Sequence, residues 1–297
     1  MKTLERVAGE ADAGRQVKYL VRGGMGVSYH QFASVKVCGG LRVNGIPVHA
    51  DYRLSAGDVV TVTLGDAPRA PVAMDPTPVD VVFEDDDILV IDKPAPLPCQ
   101  CSPKQAGMTL ENRLQWRYRD DPGFVFRPLN RLDKGTSGLM AAAKHAHAAQ
   151  RLQRQLHTDQ FVREYLAVVE GPIEGTGVVD APIAKEPAAT VRRVVDWENG
   201  ARAVTHYWVE RAGESAALLR LRLETGRTHQ IRVHLAHLGH PIIGDFLYGH
   251  EDARLPGRFA LHSTYIHFTH PLTGAVIERT SPLPDALKAL MPDGEHL

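Results

Sequence analysis

The 297-residue sequence holds three cysteines, Cys38, Cys99 and Cys101, too few and too oddly spaced for a disulfide framework. Cys99 and Cys101 form a C-x-C with no second pair, which argues against a structural zinc site. No stretch approaches the roughly 18 to 20 apolar residues of a membrane span, so no membrane partner is expected. The opening Met-Lys-Thr-Leu-Glu-Arg lacks the apolar run of a secretory signal; a reducing cytoplasm is the expected compartment. Charge of one sign is also missing. Thirty-four Lys and Arg balance 35 Asp and Glu to a formal −1, so a nucleic-acid partner would have to be met by a local basic face. There is no G-x-G-x-x-G, no phosphate loop and no H-E-x-x-H. What remains is an ordinary folded composition, 43% hydrophobic and 23% charged, enough for one to three domains.

Proline divides the chain. Pro68, Pro71, Pro76 and Pro78 crowd a stretch with almost no apolar periodicity, which predicts an extended linker over 66–79 between a small unit (1–65) and a large one (80–297). The small unit takes shape from about residue 12. Asn44-Gly45 predicts a two-residue hairpin turn, and Ala56-Gly57-Asp58 a turn into the β-rich run Val59–Leu64. The stretch 20–37 reads as helical, interrupted at Gly23 and Gly24.

In the large unit, strands are expected at 81–83 and 88–91, flanking Glu84-Asp85-Asp86-Asp87, read as a solvated hairpin tip. A helix is expected over about 142–156, strands over 161–169 and 218–223, and a helix capped by Thr228 that ends near Leu238 at Gly239 and Pro241. Strands and helices mix without a βαβ repeat. That is an α+β pattern: a mixed, mostly antiparallel, bent β-sheet with flanking helices, preceded by a small α-β domain.

Three segments carry candidate chemistry. The first is Asn130-Arg131-Leu132-Asp133-Lys134-Gly135-Thr136-Ser137-Gly138-Leu139, a glycine-punctuated turn with one carboxylate. Ser137 fails the G-x-S-x-G elbow because Leu139 stands at the second glycine, so it reads as a turn hydroxyl. The second is Arg163-Glu164-Tyr165-Leu166-Ala167-Val168-Val169, where alternation puts Arg163, Tyr165, Ala167 and Val169 on one face. The third runs Thr225-Gly226-Arg227-Thr228-His229-Gln230-Ile231-Arg232, at a strand-to-helix turn where a guanidinium can reach a carboxylate. His234, His237 and His240 are spaced at three, but no carboxylate or cysteine completes a metal site, so packing or phosphate contact is the expectation.

In order and spacing these segments resemble the RluA-type family of pseudouridine synthases. Asp92-Lys93-Pro94, Gly239-His240-Pro241-Ile242-Ile243-Gly244-Asp245, Leu261-His262 and His267-Phe268-Thr269-His270-Pro271 agree, and the likeness spans about 80–285. The V-N-G turn and G-D-x-V strand of the small unit resemble the ribosomal-protein-type RNA-binding domain. The resemblance implies isomerisation of uridine to pseudouridine in structured RNA, large-subunit ribosomal RNA before transfer RNA, with the target nucleotide flipped out. It implies Asp133 as the essential carboxylate, attacking the nucleotide or abstracting a sugar proton. Arg227 is then its ionic partner, and Tyr165 stacks on the uracil and serves in the final deprotonation at C5. Asn130, Arg131, Arg163 and Arg232 are expected to bind substrate, with Arg131 filling the vacated stack or holding phosphate. Atoms only rearrange, so neither cofactor nor metal is expected, and the chain is read as a monomer. A non-catalytic RNA binder on the same scaffold is the alternative. A nucleoside hydrolase is disfavoured because only one carboxylate stands in the motifs.

Overall fold

The computed structural model describes residues 2–37, 39–64, 72–101, 108–121, 123–156, 158–187 and 191–291. Cys38 and the first two linker prolines, Pro68 and Pro71, lie outside them.

The N-terminal unit runs β1 (Lys2–Val7), α1 (Val17–Tyr19), α2 (Tyr29–Val37), β2 (Leu41–Val43), β3 (Ile46–Pro47) and β4 (Val59–Leu64), with an antiparallel sheet in the order β1-β4-β2-β3. Asn44 and Gly45 both take positive φ, 50° and 78°, as the predicted hairpin turn demands. The two quoted motifs lock together. Asn44 Oδ1 accepts from the Val59 amide and its Nδ2 donates to Asp58, whose other oxygen accepts from the Ser55 amide. Between α1 and α2 the chain makes a wide turn, Leu20–Gly24, at the expected glycine break. Leu20, Val21, Phe32, Leu41, Val60 and Val62 belong to a core made wholly of residues 8–64. Sequence reasoning missed β1, whose apolar residues Leu4 and Val7 stand three apart and give no strand alternation.

The large unit comprises β5 (Asp80–Glu84), β6 (Ile88–Lys93), α3 (Leu110–Arg117), β7 (Arg127–Pro128), β8 (Ser137–Ala143), α4 (Ala146–Gln153), β9 (Phe161–Glu170), β10 (Thr176–Asp180), β11 (Ile183–Lys185), β12 (Arg193–Val195), β13 (Val204–Ala212), β14 (Ala216–Leu223), α5 (Gln230–His237), β15 (Leu261–Thr269), β16 (Val276–Thr280) and α6 (Asp285–Lys288). Its sheet is ordered β10-β13-β14-β9-β15-β8-β6-β5, with β16 on β15 and β7 on β8. Every pairing is antiparallel except β15 with β8, so the mixed, mostly antiparallel sheet of an α+β fold is what the chain builds.

Three expectations differ from the structure. Residues 142 and 143 end strand β8, and the helix starts only at Ala146, where His145 Nδ1 caps the Ala148 amide. The run Leu139–Ala143 looks helical because alanine is the best helix former. Yet β8 is buried along its whole length, with Leu139 and Ala141 in one apolar cluster and Met140 and Ala142 in another across the sheet. A strand covered on both faces shows no alternation. Gly138 makes the β8–β15 crossing possible: at φ 104°, a Cβ there would sit 2.2 Å from the Ser263 carbonyl oxygen.

The second correction concerns 72–79, expected to be linker. Ala73 O accepts from Asn112, and Asp75 is buried against Arg113 at 3.3 Å, so these residues are docked on α3. The acidic run is no solvated tip either. Glu84 pairs with Lys144 and Arg117, and Asp87 is buried against His145 at 2.8 Å; only the third carboxylate, Asp86, points to solvent without a partner role.

Candidate active site

The loop between β7 and β8 carries Asp133 and is fastened from several sides. The Leu129 amide donates to Ala141 O and Asn130 Oδ1 accepts from the Ala141 amide at 3.0 Å, tying the loop to β8. Thr136 N donates to Asp133 O, closing the turn, and Leu97 N donates to Lys134 O. Asp133 stands on this turn with its side chain 27% exposed. Asn130, expected to bind substrate, is buried instead with its carbonyl committed to β8; its Nδ2 has no hydrogen bond. Its place in the structure is that of a loop anchor.

The ionic partner of Asp133 is Arg232, from 99 residues along the chain: Nη1 lies 3.0 Å from Oδ2. Arg227, expected in that role, sends its Nε to the Arg202 carbonyl at 2.9 Å while its own amide donates to Gln230 Oε1. The reason is helix phase. Arg227 precedes α5 and is directed at the start of β13, whereas Arg232 sits on the inward face of the helix, one turn beyond His229. Thr228 is not the cap; His229 holds the N-cap position in the left-handed region at φ 59°, ψ 18°. The C-terminal expectation holds, with Gly239 at φ 86°.

Arg232 is itself pinned. Its Nε and Nη2 donate to the two oxygens of the fully buried Asp245 at 2.7 and 2.8 Å, a forked pair. The guanidinium lies 4.2 Å from the Phe259 ring centroid and 4.9 Å from that of Tyr248. Burial works against the charge on Arg232, but Asp245 and Asp133 outweigh it and raise its pKa. Asp245 was legible only as the last letter of the Gly239–Asp245 match; nothing in its spacing marked it as a buttress. Tyr248 carried no signal.

Tyr165 is buried on the face shared with Arg163 and Ala167, as alternation predicted, and lines the cleft beside Asp133, Leu132, Thr136, Arg227, His229 and Arg232. Burial pushes its phenol up, so it is held as the neutral hydroxyl, which disfavours a standing phenolate base. Arg131 is exposed at the cleft. Arg163 is buried, packs 5.6 Å from the Phe161 ring centroid, and does not line the cleft. It too is a supporting residue where a substrate contact was expected.

The histidine series is structural. His234 is buried between Thr205 Oγ1 and the Ala181 carbonyl, each 2.9 Å away, and His240 Nδ1 pairs with Glu170 O. Ser137, expected to stabilise a turn, instead opens strand β8, and its buried Oγ lies between His262 Nδ1 at 2.9 Å and Arg258 at 3.0 Å. Among the described residues one group, Asp85, Asp87 and His270, brings three metal-type ligand atoms together. His270 Nδ1 accepts from the Leu272 and Thr273 amides, so its proton sits on Nε2, 2.9 Å from Asp85. With its proton on Nε2, that nitrogen has no lone pair to offer a metal.

Leu223 and Arg227 border both this cleft and a second, open groove of about 640 Å³ walled by Arg202, His206, Trp208 and Arg222. No helix among the described residues is long and apolar enough to cross a membrane.

Comparison with known proteins shows the family of the chain. Residues 87–237 match the family described as RNA pseudouridylate synthase. The chain is 36% identical over 278 residues to an uncharacterized RNA pseudouridine synthase, YjbO, of Bacillus subtilis, covering 92% of this chain and 98% of that one. It is 39% identical over 255 residues to ribosomal large subunit pseudouridine synthase D of Xanthomonas campestris, covering 80% and 76%. Among solved structures, human RNA pseudouridylate synthase domain containing 1 superposes with a TM-score of 0.60 at 26% identity, covering 75% of this chain and 93% of that one.

Proposed function

We propose, from the premise that this chain belongs to the RNA pseudouridylate synthase family, that it isomerises a uridine of large-subunit ribosomal RNA with Asp133 as the reacting carboxylate. Family membership makes it an isomerase acting on RNA. The finer substrate rests on relatives bearing the ribosomal large subunit name, from Xanthomonas campestris and Vibrio cholerae among others. It rests also on the N-terminal unit with its interlocked V-N-G and G-D motifs, read here as an RNA-binding module working in the cytoplasm.

A uracil stacked in folded RNA is out of reach of a side chain in a cleft, so the nucleotide is swung out at a cost of a few kcal/mol. Arg131, exposed at the cleft, is suited to the vacated stack or the displaced phosphate. Tyr165 offers its ring to the uracil. Asp133 acts from its place beside Arg232. The C1′–N1 bond breaks, C1′–C5 forms, the proton leaves C5 and N1 gains one, so the atoms balance with the substrate's own. Arg227 and the groove past it are suited to the flanking RNA.

The observation that carries this reading is the 3.0 Å contact between Asp133 and Arg232 in a cleft that also holds Tyr165. The test is incubation of the purified chain with unmodified large-subunit RNA transcript and mapping of pseudouridine. Asp133→Asn should retain the thermal melt and RNA binding and lose turnover entirely. Turnover by Asp133→Asn overturns the role of Asp133, and modification of transfer RNA alone overturns the substrate.

A further inference from the structure

A carboxylate that reacts with a nucleotide needs one free oxygen. Both ionic contacts of Asp133 fall on the same atom: Arg232 Nη1 at 3.0 Å and His229 Nε2 at 3.8 Å from Oδ2. Among the described residues no hydrogen bond reaches Oδ1.

The protonation of His229 follows from its other nitrogen. Nδ1 lies 2.8 Å from the Tyr248 hydroxyl. That hydroxyl already accepts from the Arg193 amide of β12 at 2.9 Å, so its single proton is free to point at His229. A donation from Tyr248 to Nδ1 puts the proton of the neutral ring on Nε2, on the side of Asp133. Burial lowers the pKa of His229, which favours that neutral ring. The backbone aims it: His229 occupies the left-handed region that costs a non-glycine residue about 1 kcal/mol or more, a strain found where a side chain must be held in one direction.

We propose that His229 is a positioning residue of the isomerisation: Tyr248 fixes it as the Nε2–H form, it joins Arg232 on Oδ2 of Asp133 once the nucleotide closes the cleft, and Oδ1 is left as the reacting oxygen. This rests on the assignment of Asp133 under the proposed function. Through the Arg193 amide it ties the β11–β12 hairpin to the reacting carboxylate.

The test compares His229→Leu with His229→Gln, which pay a similar backbone strain but differ in carrying an N–H donor. Turnover on unmodified large-subunit RNA should fall about ten- to a hundredfold in kcat for His229→Leu, the loss of one hydrogen bond to a charged group, with KM almost unchanged. His229→Gln should recover most of that loss. Tyr248→Phe should fall in between. Nitrogen-15 NMR of the free protein should find the His229 proton on Nε2 in the natural sequence and divided between the two nitrogens in Tyr248→Phe. Wild-type kcat in His229→Leu, no gain from Gln over Leu, or a proton on Nδ1 in the natural sequence each overturns the proposal. If the natural chain makes no pseudouridine in any RNA, the parent assignment fails, and the NMR result still decides the tautomer.

Discussion

Replacing Asp245 by Asn probes the buried support behind the Asp133–Arg232 pair. Asp245 is fully buried and holds two donors of Arg232 at 2.7 and 2.8 Å, and the Arg232 side chain is only 4% exposed. An amide keeps one acceptor and turns two N–H donors toward a group that has only donors. Removing one member of a buried ion pair costs about 3–5 kcal/mol. Arg232 keeps Asp133, so the lower end applies: about 3 kcal/mol, or a melting temperature lower by about 6–12 °C for a unit of this size. The catalytic effect has a separate sign. A guanidinium released from Asp245 settles on Asp133 and takes up both of its oxygens, so kcat should fall by at least about tenfold while KM for RNA stays put, the pattern of an interaction altered in the transition state. Calorimetric melts and single-turnover pseudouridine release measure the two. A control, Asp245→Asn with Arg232→Met, leaves no buried charge unpaired and should regain most of the stability but none of the activity. A melt within about 1 °C of the natural protein and an unchanged kcat for Asp245→Asn would refute the reasoning.

Two further perturbations separate the cations around the site. Arg227→Ala should raise KM for RNA by about fivefold, the worth of about 1 kcal/mol of contact, and leave kcat within a factor of a few; a kcat collapse like that of Arg232→Met would restore Arg227 as the partner of Asp133. Lys93 is fully buried with its ammonium donating to Pro94 O and Leu97 O, and burial pulls its pKa down to about 8 from 10.5. Because the unfolded chain then holds the proton more tightly, its charge destabilises the fold at neutral pH, and stability should rise between pH 8 and 10.5, by up to about 3 kcal/mol. Lys93→Met should flatten that rise in denaturation measured across the range, and an equal slope in both proteins would rule Lys93 out as its source.

What could be read from sequence was whatever local chemistry dictates. The Asn44-Gly45 turn, the Gly239 stop and the alternation that buries Tyr165 depend on a few adjacent residues, and all stand in the structure. The loop bearing Asp133 reads on its own as a turn, and it stood out only through the resemblance of three segments in order and spacing. Burial on both faces was not legible: β8 has the apolar run of a helix until the strands on either side are known. The roles of Asn130 and Arg163 escaped for a related reason. A polar side chain beside a catalytic motif reads as a ligand contact, and only the register of Asn130 against Ala141 and the packing of Arg163 over Phe161 turn them into supports.

The choice between Arg227 and Arg232 was out of reach from sequence because it depends on where α5 begins. Had Thr228 capped the helix, the inward face would have shifted by one residue. With His229 in the left-handed region, the first full turn carries His229 and Arg232 toward Asp133 together. The arrangement also answers how a carboxylate can be paired without being disarmed. A forked guanidinium would occupy both oxygens of Asp133 and stabilise it against reacting. Here the fork is given to Asp245, and Asp133 receives the one remaining edge on one oxygen. Two carboxylates share one guanidinium, and the one it holds by a single edge is the one that faces the cleft.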